Sequence, residues 1–207
     1  MIAAISMMRR QDAVSLARFR RHWLDVHGPL VCRFAGLRRY VQCHVLDSPL
    51  TTEAARSLRI DGFPILFFDD HARRARAQGS PEMDACDIDS RLFVGSVSRL
   101  VTDVEQIVPR AASAGRISLL VMDPADPGAL ADAPRLRGLA CYHVRDQGAA
   151  PNSTVAHLPV HVSAMAQAWF DSVVDMEEAA APWVSCSRAL FVVEEHWLEP
   201  AATALAA

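Results

Sequence analysis

Residues 37–45, Leu37-Arg38-Arg39-Tyr40-Val41-Gln42-Cys43-His44-Val45, return later in the chain in altered form. The second version is Leu136-Arg137-Gly138-Leu139-Ala140-Cys141-Tyr142-His143-Val144. The first is rich in Tyr and Val, as a strand requires. Downstream, Phe67-Phe68-Asp69-Asp70 is echoed by Trp169-Phe170-Asp171-Ser172. Ser98-Arg99-Leu100 is echoed by Ser187-Arg188-Ala189-Leu190. Three segments match in one order, which defines an internal repeat.

Working outward, Ile2–Met8 is an apolar run with a polar turn behind it, which predicts a buried strand. Ser15 offers an N-cap, and Phe19, Trp23, Val26 and Leu30 follow at helical spacing. Gly28-Pro29 should disturb or end that helix. Strands are expected at 38–45, 60–68 and 99–108, with a helix over 69–78 ended by Gly79-Ser80-Pro81. Leu46–Arg59 reads as a loop and Glu82–Gly95 as irregular. In the second half Ile117–Met122 stands for the first strand. Pro124, Pro127 and Pro134 leave no room for a full first helix, and a later helix should stop near Pro182. Strand, helix, strand, strand, helix, strand is the ferredoxin-like order. The expected fold is therefore α+β, with two tandem ferredoxin-like units (residues 1–109 and 116–199, the second lacking most of its first helix). Each sheet has one face free of helices, and packing these faces together makes an intramolecular α+β barrel, a pseudo-dimer in one chain.

Composition narrows the chemistry. The chain has 207 residues, 51% hydrophobic and 22% charged, with a formal net charge of −3. These are globular proportions, with nothing to attract nucleic acid or an anionic membrane. All 21 cationic side chains are Arg. The absence of Lys excludes a Schiff-base lysine, a lysine general base and a phosphate-loop lysine. Five scattered cysteines form no CxxC pair, which predicts reduced thiols and a cytoplasmic protein. The apolar start precedes Arg9-Arg10, the wrong order for a signal peptide. Ala201–Ala207 is expected to fray.

The stretch Phe19-Arg20-Arg21-His22-Trp23-Leu24-Asp25-Val26-His27-Gly28-Pro29-Leu30 resembles the EthD family of dimeric α+β barrel proteins. Gly36, Arg39-Tyr40, Asp61-Gly62, Phe67-Phe68-Asp69 and Ser80-Pro81-Glu82 stand at matching places. The resemblance covers about residues 2–108 directly and 116–198 only through the repeat. It implies a barrel fold and dehydratase, cyclase or isomerase chemistry on polyketide or aromatic-lactone intermediates. Related barrels include cofactor-free oxygenases, and an oxidoreductase label often accompanies the family. Fold analogy does not choose among these.

His27 is the first catalytic candidate. Beside a packed aromatic its imidazole is suited to general acid–base work, or else it bonds a backbone carbonyl at the helix end. His44 is the second. Tyr40, Gln42 and His44 share one strand face, which is expected to look into the barrel and form a pocket wall, or to fill its core with water-mediated bonds. Trp23, Tyr40 and Gln42 are expected to shape that pocket. His22, Asp61 and His143 complete the candidate substrate-binding set. His22 also reads as a surface residue, and Asp61 as an acceptor of backbone hydrogen bonds. Glu105, Glu194 and Glu195 read as charges on a sheet edge, while His196 and Trp197 are placed to seal the barrel interface.

No metal is expected. His157 and His161 have helical spacing, but Pro159 breaks the helix, and Asp84, Asp87 and Asp89 lack the glycine-centred calcium-loop pattern. No cofactor motif is present. The leading expectation is a histidine acid–base enzyme for an aromatic or polyketide-like metabolite held in the inter-sheet cavity. A cofactor-free oxygenase and a non-catalytic metabolite binder are the alternatives. The expected partner is a small molecule, and the chain is either a monomer or a homodimer.

Overall fold

The computed structural model describes residues 1–149 and 153–202. The expected fraying of Ala201–Ala207 thus lies mostly outside the described residues. The first half contains β1 (Ile2–Arg10), α1 (Leu16–His22), a π-helical turn (Trp23–His27), α2 (Gly28–Val31) and β2 (Leu37–Val45). It continues with α3 (Glu53–Leu58), β3 (Gly62–Phe68), α4 (His71–Gln78), α5 (Pro81–Ser90) and β4 (Val94–Val108). The second half contains β5 (Ile117–Met122), a 3-10 turn (Pro127–Leu130), β6 (Leu136–Gly148), β7 (Ala156–His157) and β8 (Ala164–Phe170). It ends with α6 (Val173–Cys186) and β9 (Ala189–Leu198).

Eight strands hydrogen-bond in the order β1-β3-β2-β9-β5-β8-β6-β4, and β4 returns to β1, so the antiparallel sheet closes. The short β7 adds in parallel to β4 at Ser96 and Val97, where β6 has already left it. Closure removes the exposed edges that an open sheet would present. The two halves meet along β4–β6 and along β2–β9.

Alternation along each strand divides the residues between two faces. Ile5, Val41, Phe63, Ile65, Leu120 and Phe191 fill the barrel together with other apolar side chains from both halves. Outside, α6 brings Met176, Ala180 and Trp183 onto β5, β8 and β9. The helices of the first half cover the outer face of β1–β4, with Phe19 and Trp23 against Met8, Phe93 and Val94.

Two segments expected to lack regular structure are helical. α3 lies within the expected loop 46–59, capped by Thr52, whose hydroxyl accepts from the Ala55 N–H. α5 occupies most of the segment expected to be irregular. Ser80 caps it, Pro81 takes its first turn and Glu82 and Asp84 follow, a full start signal. The same Ser80-Pro81 pair also ends the preceding helix, which is how it reads in sequence. α6 runs on through residue 182 to Cys186.

Candidate functional site

The helical stripe is shifted by one residue in its second half. Phe19 and Trp23 are buried as expected, but Val26 is 47% exposed and His27 only 8% exposed. The cause is the π turn. Pro29 has no N–H, and in an unbroken α-helix that N–H would serve the carbonyl of Asp25. Instead the Gly28 N–H bonds the Trp23 carbonyl, five residues back. The extra residue turns His27 inward in place of Val26, and Val31 in place of Leu30.

His27 donates from Nδ1 to Asp89 Oδ2 at 2.9 Å. His22 donates from Nε2 to Asp89 Oδ1, also at 2.9 Å. One carboxylate on α5 thus bridges two imidazoles on the facing helix. Phe93 packs against both rings, with centroids 4.8 Å from His22 and 5.2 Å from His27. Burial pushes the Asp89 carboxyl up, but the hydrogen bonds from His27 and His22 outweigh it and hold the group below the usual carboxylate range. Asp89 is therefore ionised at neutral pH. With Nδ1 engaged, Nε2 is the nitrogen of His27 that is free to exchange a proton.

The row on β2 faces the opposite way from expectation. Tyr40, Gln42 and His44 look outward at the helices, while Val41 and Cys43 enter the barrel. Hydrogen bonding supplies the reason. Inside the barrel the backbone groups are spent in strand ladders, whereas the helix layer offers groups that still need partners. The Trp23 indole donates to the Tyr40 hydroxyl at 2.9 Å. The Gln42 amide donates to the Trp23 carbonyl at 2.8 Å and to the same hydroxyl at 3.2 Å. His44 donates from Nε2 to Gln42 Oε1 at 3.1 Å and stacks on the Trp23 ring at 4.5 Å. The Tyr40 oxygen thus accepts two bonds, and its hydrogen has no acceptor among the described residues.

Between α5 and the outer face of β1–β4 lies a cleft of about 560 Å³, including its opening to solvent. His27 and Tyr40 both line it, with Ser6, Pro64, Cys86 and Arg99 among the other walls. Burial keeps Tyr40 neutral, far above its ordinary pKa, so its O–H remains a donor. Burial also pushes the Cys86 thiol up to about 12, which removes it as a nucleophile.

The other candidates are placed as follows. Trp23 and Gln42 sit fully buried behind Tyr40, and neither lines the cleft. His44 is also off the cleft, linked to it through Gln42 and Tyr40. Burial first, then the positive neighbours His196 and Arg20, lower its pKa to about 3. His22 lines an open surface groove with Arg18 and Asp25. Asp61 accepts the Arg10 N–H at 2.8 Å and pairs with the Arg10 guanidinium, away from the cleft. His143 stands on the outside of β6, half-exposed, bonded to Glu105 at 2.8 Å. The expected cavity for His27 and His44 inside the barrel is therefore corrected: the cleft lies outside the barrel wall. Glu195, expected on an edge, is buried in the barrel. Asp89 reads in the sequence only as a loop carboxylate without a calcium pattern; its place beside the histidines comes from α5, whose Ser80-Pro81-Glu82 start is the available signal. Among the described residues, no three or more His, Cys, Asp or Glu side chains are arranged to hold a metal ion. No described helix is long and apolar enough to cross a membrane.

A closed antiparallel barrel with helices laid on its outer wall, and a cleft between the two, defines an α+β barrel protein. Residues 11–96, which lie within the first half of the chain, match the EthD domain model. Among solved structures the chain is similar to an anthrone oxidase-like protein, with 9% identity, a TM-score of 0.60, and coverage of 100% of this chain and 96% of that one. It is also similar to a proposed monooxygenase of Fusobacterium nucleatum, with 6% identity, a TM-score of 0.52, and coverage of 96% and 92%. An ethyl tert-butyl ether D (EthD) family protein of Bacillus halodurans matches 50% of this chain over 98% of its own, with 21% identity and a TM-score of 0.41. At their identities the first two likenesses speak for the fold alone. No curated protein is significantly similar in sequence.

Proposed function

We propose that this chain is an enzyme that moves protons on a small phenolic or enolisable metabolite bound in the cleft between α5 and the barrel wall. The observation that carries this reading is the Asp89 carboxylate bridging His22 and His27, with His27 lining the cleft. Asp89 holds the Nδ1–H tautomer of His27, so the Nε2 lone pair is the base. Nε2 takes a proton from a C–H beside a carbonyl or from a phenolic O–H. Asp89 stabilises the imidazolium that results. The Tyr40 O–H donates to the substrate oxygen on which negative charge develops. His27 then returns the proton to another atom, which completes a dehydration, cyclisation or isomerisation. His22, at the groove on the other side of Asp89, connects the pair to solvent. His44 acts as a positioning residue that fixes Gln42 and the Trp23 ring.

The likeness to an anthrone oxidase-like protein favours a second reading on the same residues. Here the deprotonated substrate reacts with O₂: a CH₂ group becomes a carbonyl, and the second oxygen atom leaves as water. A panel of polycyclic phenols and enolisable polyketide-like compounds, followed by mass spectrometry of the products, distinguishes the two. Loss of water or an unchanged mass supports proton transfer alone, and gain of oxygen supports the second. His27→Gln should lower turnover by about 10² to 10⁴ with the fold intact. Unchanged turnover in His27→Gln sinks both readings, and binding without turnover across the panel leaves a metabolite binder.

We also infer that residues 1–109 and 116–199 are tandem ferredoxin-like units forming a pseudo-dimer. The strand orders β2-β3-β1-β4 and β6-β8-β5-β9 support this, since each follows second, third, first, fourth within its half once the two-residue β7 is set aside. The second unit has only the 3-10 turn Pro127–Leu130 where the first has α1 and its π turn, so the EthD site residues belong to the first unit.

A further inference from the structure

Inside the barrel, on the opposite side of β2 from the His27 cleft, lies a second cavity of about 360 Å³ including its mouth. Glu195 anchors it at 1% exposure. Both carboxylate oxygens of Glu195 are occupied. Oε1 accepts from Trp169 Nε1 at 2.6 Å and from Gln167 Nε2 at 2.7 Å. Oε2 accepts from Trp197 Nε1 at 2.8 Å and pairs with Arg110 Nη2 at 3.0 Å. Arg110 also bonds the Gly115 carbonyl, yet its Nε is buried without a partner.

Arg39 faces the same cavity and is bonded to nothing among the described residues. Its guanidinium lies 3.9 Å from the centroid of the Phe67 ring and 5.1 Å from that of Trp197, and its Nε is fully buried and unpartnered. The cavity thus holds two guanidinium groups and one carboxylate whose acceptor positions are already filled. One positive charge is left uncompensated against apolar walls, and desolvation makes that costly. A guanidinium with a free edge matches a carboxylate bidentately. The flat faces of Trp169, Trp197 and Phe67, with Val41 and Ile65, match an aromatic ring.

We propose that this barrel cavity is a binding site for an aromatic monocarboxylate, its carboxylate on the free edge of Arg39 and its ring among Phe67, Trp169 and Trp197. The site is distinct from the His27 cleft and does not depend on the chemistry assigned there. Benzoate is the probe and its neutral isostere benzamide the control, titrated calorimetrically into the intact protein with tryptophan fluorescence as a second readout. One molecule of benzoate should bind saturably per chain, and benzamide should not. Arg39→Gln should weaken benzoate at least about tenfold, the loss of a charge-assisted pair. His27→Gln should leave the affinity unchanged. The proposal is overturned if benzamide binds as well as benzoate, if no saturation occurs in the millimolar range, if Arg39→Gln binds normally, or if His27→Gln abolishes binding. Should Arg39→Gln not fold, Arg39→Lys, which keeps the charge but loses the fork, is judged by the same criterion.

Discussion

At His44, burial and the charges of His196 and Arg20 keep the imidazole neutral down to about pH 3. In the unfolded chain the same group takes up a proton near pH 6.5. Between these values the unfolded state binds the extra proton, so stability falls as pH drops through this window, by up to about 1.4 kcal/mol per pH unit. His44→Phe should flatten that slope, and urea denaturation from about pH 7 to about pH 4 measures it. An equally steep slope in the variant would assign the acid sensitivity elsewhere. Asp89 follows the carboxylate rule: its lowered pKa contributes stability above the ordinary carboxylate range, lost as pH falls through the folded value. Tyr40 serves two buried donors, the Trp23 indole and the Gln42 amide. Tyr40→Phe strands the indole and should cost about 1–3 kcal/mol, read as a lower denaturation midpoint. His27, Tyr40 and His44 are legible in the sequence as residue types. Asp89 is not, because its value lies in facing two histidines more than sixty residues away in the chain.

The π turn is the element that makes the site. Its sequence cause, Pro29 after Gly28, is visible, and a disturbed helix follows from it. The direction of the disturbance is set by tertiary contacts. The Trp23 carbonyl is held by Gln42 from β2, and a side chain at Gly28 would run into Leu198 and the Gln42 amide. Gly62 provides the matching space on β3, since a Cβ there would enter the Trp23 ring. Gly62→Ala should therefore destabilise the fold by about 1–3 kcal/mol through overpacking, with a lower Tm. A Tm equal to that of the wild type would show that the indole has room to move. The amphipathic stripe at Phe19 and Trp23 is readable from periodicity. Beyond Trp23 periodicity fails, because a 3.6-residue template cannot represent a turn with one residue more.

For the whole molecule, closure is the main consequence. Residues 1–109 alone would expose Val41, Ile65, Phe67 and Leu100 along a four-stranded face that the second half covers in the intact chain. That fragment should not stay monomeric, and light scattering after size exclusion tests this. A stable monomer would argue against interdependent halves. The barrel class and the strand positions were determined by the sequence, because hydrophobic periodicity and turn residues are local properties. The face that each strand turns to the barrel was decided only in the tertiary structure. Period-2 alternation shows which residues stand together, while the side they take depends on which partners still have hydrogen bonds to make. On β2 those partners were the Trp23 carbonyl and indole, so the polar row turned to the helices and the cleft formed outside the barrel, with Arg39 left facing inward.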